Sequence, residues 1–178
     1  MRGSRQNGAK LTGARYGDAM KRQGVNDAAA DRGRRVLLFL TIAYAAASLL
    51  HFAHNAVFLQ AYPNLPAWLT AAGVWAAWCA ITLLGALGYF VYLRRSRSAG
   101  LAILAVYAVL GFGGLDHYVV APVSAHTLAM NATILVEVAA ASVLLAYVLG
   151  RLARAKYAGP GDDRRAQRPS RRRENPSS

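Results

Sequence analysis

The sequence predicts an all-α integral membrane protein, an up-down bundle of four transmembrane helices carrying disordered basic tails at both ends. Three observations lead there. Of 178 residues, 55% are hydrophobic and only 16% charged. No Asp, Glu, Lys or Arg occurs from Val36 to Leu93, and only Asp116 and Glu137 occur from Ser98 to Gly150. The 21 Lys and Arg residues, which set a net charge of +13, all lie outside these tracts. A helix in water must present a polar face. These tracts have none to present, which excludes a water-soluble domain.

Each span follows from the same reasoning. A hydrocarbon core about 30 Å thick is crossed by roughly 20 apolar helical residues, because every backbone group in lipid must be satisfied within its own segment. Four stretches meet that demand, at 36–60, 67–93, 99–121 and 126–150. They are separated by the turn-forming Ala61-Tyr62-Pro63-Asn64-Leu65-Pro66, by the charged Arg94-Arg95-Ser96-Arg97-Ser98, and by Pro122-Val123-Ser124-Ala125. Connections this short make successive helices antiparallel neighbours.

Orientation follows from the cations, since Lys and Arg beside transmembrane segments stay on the cytoplasmic side. They fall in residues 1–35, in the Arg94 connection and from Arg151 onward, whereas the Tyr62 and Pro122 connections carry no charge. The reading is a multi-pass plasma-membrane protein of a bacterial type with both termini and the Arg94 loop in the cytoplasm. Tyr62, Trp68 and Tyr118 at the outer ends, and Tyr89, Tyr92 and Tyr147 at the inner ends, are expected at headgroup level. The tails, 1–35 and 151–178, are basic and poor in apolar residues, so disorder is expected there. Their arginines suit anionic lipid headgroups. No aromatic residues are interleaved with them, so a nucleic-acid partner is not expected. The lone Cys79 excludes an intramolecular disulfide and a thiolate metal cage. The apolar run continues well past Ala45-Ala46-Ala47, so the first span is read as retained rather than cleaved.

Ionisable residues at membrane depth are costly and mark function by default. Six occur: His51, His54, Asp116, His117, His126 and Glu137. Antiparallel threading brings all four histidines to one leaflet. Helical spacing puts Tyr44, Ser48, His51 and Asn55 on one face of the first span, and His126, Met130, Thr133 and Glu137 on one face of the fourth. Both stripes should face the interior, joined by Trp75, Trp78, Cys79 and Thr82 of the second span. Gly111-Phe112-Gly113-Gly114 should loosen the third.

Three functions fit. In the first, His51, His54, His117 and His126, supported by Asp116, hold a transition metal such as copper, zinc or iron, or a haem. Met130 would be a soft donor one turn below His126. In the second, the histidines and Glu137 form a proton relay, transporter or small catalyst. In the third, they are hydrogen-bonding glue, with Asn55 and Asn131, in a structural or accessory four-helix protein without catalytic activity. Composition leaves open whether the chain is an enzyme, and whether it forms a homo-oligomer or joins a larger membrane complex.

Overall fold

A computed structural model describes the backbone of residues 4–157 and the side chains of residues 20–155. The expected tail from 158 to 178 lies outside the described residues. Within them the chain is helical and has no strand. Helix α1 runs Ser4–Val57, α2 Ala71–Arg94, α3 Arg97–Leu110, α4 Asp116–Val120 and α5 Leu128–Tyr157. Four helical stretches, Met20–Val57, Ala71–Arg94, Arg97–Val120 and Leu128–Ala155, are long and apolar enough to cross a membrane. Packing is α1 on α2 and α5, and α3 on α2 and α5, the square of an up-down bundle.

The boundaries have local causes. Thr70 caps α2 by accepting the Gly73 N–H at 3.1 Å, so the helix starts four residues later than the apolar composition suggested. Ser96 caps α3 through the Ala99 N–H at 3.3 Å. Thr127 begins α5: its hydroxyl accepts the Met130 N–H at 3.3 Å, while Met130 Sδ accepts the Thr127 N–H at 3.4 Å. This is a reciprocal cap with a thioether in the usual Glu/Gln position. It leaves His126 outside the helix, in extended backbone.

At both ends where tails were expected, helix continues. The α1 helix reaches back to Ser4, although the side chains of residues 20–35, Gly33 apart, are exposed. The α5 helix runs past Gly150 to Tyr157. Arg151 anchors that extension by donating to the hydroxyls of Tyr147 at 3.2 Å and Tyr92 at 3.5 Å. Tyr147 in turn donates to the Gly33 carbonyl at 2.9 Å.

The interior has two halves. Toward the arginine connection it is apolar, built from Leu37, Leu101, Leu104, Leu144 and Val148 around Tyr44 and Tyr107. Toward the two uncharged connections it is polar. The outer surface is the reverse of a soluble protein's, with Phe39, Ile42, Leu83, Phe90, Val106 and Val143 all exposed. In water such a band would drive association; against lipid tails it is solvated. Association of the helices therefore rests on close packing rather than on hiding apolar area. Gly111 shows this, because a Cβ there would lie 2.6 Å from both Ala141 and the Tyr44 hydroxyl.

Candidate functional site

Polar residues from α1, the third span and α5 form a file through the half of the bundle that ends in the uncharged connections. On α1, Tyr44, Ser48, His51 and Asn55 are all buried; on the fourth span, His126, Met130, Thr133 and Glu137 are too. Both stripes face inward, as their helical spacing required.

His117 enters the file because the third span changes pitch. In an unbroken α-helix the residue eleven positions after the buried Tyr107 is Tyr118, three turns on and in phase with it. Gly111–Leu115 is a 3-10 segment. Turning ~120° per residue there instead of ~100° adds about 100° over the segment, one residue's worth of rotation. His117 thus takes the inward position. Asp116 is left exposed, one residue away on the outside.

From the connections inward the order is as follows. Tyr62 is 4% exposed and closes the file. Its ring centroid lies 4.9 Å from His117 and 6.5 Å from His126. Its hydroxyl is 2.8 Å from His54 Nδ1. Burial pushes the Tyr62 phenol above its ordinary value, against a smaller opposite effect of the neighbouring Thr133 hydroxyl. His117 stands 6.1 Å from His126 and 5.5 Å from His51, ring to ring, and its Nε2 is 3.4 Å from Asn55 Nδ2. His51 Nε2 is 3.9 Å from Glu137 Oε2, with both side chains almost fully buried, at 3% and 2% exposure. Below them Tyr44 packs on Tyr107 at 4.5 Å.

Buried polar atoms are normally paired. Here His51 Nδ1, His117 Nδ1, His126 Nε2, Asn55 Oδ1 and Glu137 Oε2 have no hydrogen-bond partner among the described residues. His126 is the most defined. Its Nδ1 lies 3.1 Å from the Pro122 carbonyl, which can only accept, so Nδ1 carries a proton, and in the neutral ring Nε2 presents a lone pair to the interior.

The expected metal set is only partly drawn together. His51, His117 and His126 share the interior, but among the described residues no group of three His, Cys, Asp or Glu side chains is arranged to hold one ion. His54 is half-buried and turned to Tyr62, and Asp116 faces outward. Met130 Sδ is engaged in its helix cap. Asn131 is structural, accepting from the Tyr118 hydroxyl at 2.9 Å and donating to the Val123 and His126 carbonyls. Of the second-span residues, Trp75 and Cys79 are exposed, so they face the surroundings of the bundle instead of lining the file.

Tyr62 is the residue that composition misplaced. An aromatic residue in a connection beside Pro63 looked like an interface anchor, and it folds inward instead. Asn64 makes the turn possible, with φ of 57° and a side chain donating to the Val120 carbonyl at 2.9 Å. Comparison with protein-family models, with curated proteins and with solved structures finds no match to this chain.

Proposed function

We propose that this membrane protein carries a buried proton-transfer site, in which His51 and Glu137 hold one proton between them and His117, His126 and Tyr62 connect the pair to the outer face. The observation that carries the reading is the 3.9 Å approach of two almost fully buried ionisable groups inside an apolar bundle. Neutral imidazole beside carboxylic acid, and imidazolium beside carboxylate, contain the same number of protons and the same net charge. Hydrocarbon penalises a net charge far more than a paired one. The proton can therefore sit on either atom without charging the pair as a whole. Two groups coupled this closely titrate as a unit. Imidazoles stepping outward at 5.5 and 6.1 Å between ring centroids supply the acid and base groups that pass a proton to the surface. In this reading the uncharged connections are external and the arginine connection cytoplasmic, in the plasma membrane.

The reading is tested by proton uptake of the full chain reconstituted in liposomes, wild type against Glu137→Gln. Starting from an alkaline pH at which the pair has released its proton, wild type should bind one more proton per chain on acidification than Glu137→Gln. Equal uptake by the two would refute it. Labelling of Ala67→Cys, exposed in the same connection, in a Cys79→Ser background, with a membrane-impermeant maleimide tests the threading. Labelling of intact cells is expected; labelling only after lysis would reverse the orientation.

A second reading keeps a transition-metal ion as the occupant of the same interior. It is favoured by the inward lone pair of His126 Nε2 and the unpartnered nitrogens of His51 and His117. It requires these rings to turn toward a common point, since they do not converge as they stand. Metal analysis after titration with copper, zinc and iron salts decides it, and a protein that retains none of them excludes it.

A further inference from the structure

A cavity of about 360 Å³ opens between α1 and α2 in the other half of the bundle, away from the histidines. Leu38, Ile42 and Ala45 form one wall, and Ala86, Phe90 and Leu93 the other, with Tyr107 among the residues lining it. On α1 these residues recur at four and seven positions, and on α2 also at four and seven, so the groove runs along the helices and not across them. From Ala45 to Leu38 that is about 10 Å of helix. Gly85 deepens it: a Cβ there would lie 2.7 Å from the Tyr107 ring, so only a residue without one lets α2 sit this close to α3 and leave the space beside α1. Ile42 and Phe90, on opposite walls, are both more than half exposed, so the groove faces the hydrocarbon.

One end of the groove is charged. Arg34 and Arg35 precede Leu38 by four and three residues, on the same side of α1, and Arg94 and Arg95 follow Leu93 at the end of α2. All four are exposed. Asp31, 3.2 Å from Arg34, offsets one of them, leaving Arg35, Arg94 and Arg95 to set the sign of this rim. An apolar slot within the membrane that ends in a cationic rim complements a molecule with a hydrocarbon tail and an anionic head.

We propose that this groove is a binding site for one anionic phospholipid, an acyl chain lying between α1 and α2 and its phosphate held by Arg35, Arg94 and Arg95. The choice of occupant rests on the charged rim: a second copy of this chain would bring the same cations against each other, and a zwitterionic lipid would gain little from them. The inference is independent of the proton-transfer reading, since it uses none of the same residues.

The test is lipid retention by the full chain, purified from nanodiscs holding equal phosphatidylglycerol and phosphatidylcholine, with bound lipid counted by native mass spectrometry after detergent exchange. Wild type should retain one phosphatidylglycerol in preference to phosphatidylcholine by about tenfold, the scale expected from basic residues near a headgroup. Arg94→Gln with Arg95→Gln, which leaves only Arg35 of the three, should reduce the preference severalfold while leaving the groove. Ala86→Phe should fill the groove and lower retention of both lipids, whereas Leu87→Phe, of equal bulk on the lipid-facing side, should not. No retained lipid in wild type, equal retention of the two headgroups, or unchanged preference in the arginine double variant would overturn the proposal. So would a dimer that cross-links through the groove in place of the lipid. If Ala86→Phe fails to fold, the arginine variant still decides.

Discussion

The coupling between His51 and Glu137 can be measured by replacing each with Gln, singly and together. At 3.9 Å, two full charges in a medium of effective dielectric about 20 attract by roughly 4 kcal/mol, which is a ceiling for the pair. The net value is smaller, because forming the charges in hydrocarbon costs much of that gain and because the proton can return to the carboxylate. A coupling of about 2 kcal/mol follows, within the range of contacting buried polar pairs. Each single variant should cost about 1–3 kcal/mol, as it leaves the other buried ionisable group without its charge partner. The double variant should cost much less than the sum. Equilibrium unfolding of the four proteins in mixed detergent micelles gives the cycle. Additivity within about 0.5 kcal/mol would show that the two groups share neither charge nor proton, and would refute the pairing.

Three further outcomes follow from named contacts. Tyr62→Ala should speed diethyl pyrocarbonate modification of His117 and His126 by about tenfold or more, since the ring covers them, while Tyr62→Phe should leave the rates near wild type; equal rates in all three proteins would show that Tyr62 closes nothing. Burial raises the Tyr62 phenol, so above the ordinary value near 10 the unfolded chain releases that proton first, and stability present below this pH should fall as pH rises toward the higher folded value. Tyr62→Phe should remove this part of the alkaline loss, measured by unfolding at stepped pH. Gly100→Ala, which sets a methyl group against the backbone of Tyr92, should destabilise by about 1–3 kcal/mol despite its helix propensity, whereas Gly113→Ala, with open space around it, should not; the order of their detergent melting temperatures checks both.

Much of the architecture is legible in the sequence. Lipid penalises unpaired charge so strongly that the scarcity of Asp, Glu, Lys and Arg, none in the first two spans and one each in the third and fourth, marks all four, and three-to-four-residue spacing alone identifies the inward faces of the first and fourth. The third span defeated the same rule. Its phase depends on the pitch of Gly111–Leu115, and composition reports glycines without saying whether the helix kinks, loosens or tightens. Asp116, expected to support the site, and His117, expected to be a ligand in it, are adjacent in sequence, and only His117 faces the file. Burial of Tyr62 was illegible for a different reason. It depends on a connection meeting the end of the third span through Asn64, a contact between residues 56 positions apart. Trp75 and Cys79 face outward because α2 buries only Val74, Gly85, Gly88 and Tyr92, and in lipid an exposed tryptophan or thiol costs little.

The most direct measurement is infrared difference spectroscopy of the reconstituted protein across a pH step, in H₂O and D₂O, for wild type and Glu137→Gln. Expected is a carbonyl band of a protonated carboxyl in an apolar setting that changes with pH, shifts on deuteration and is missing from Glu137→Gln. A wild-type spectrum without such a band, or one that the Glu137→Gln substitution leaves unchanged, would contradict a proton held between His51 and Glu137.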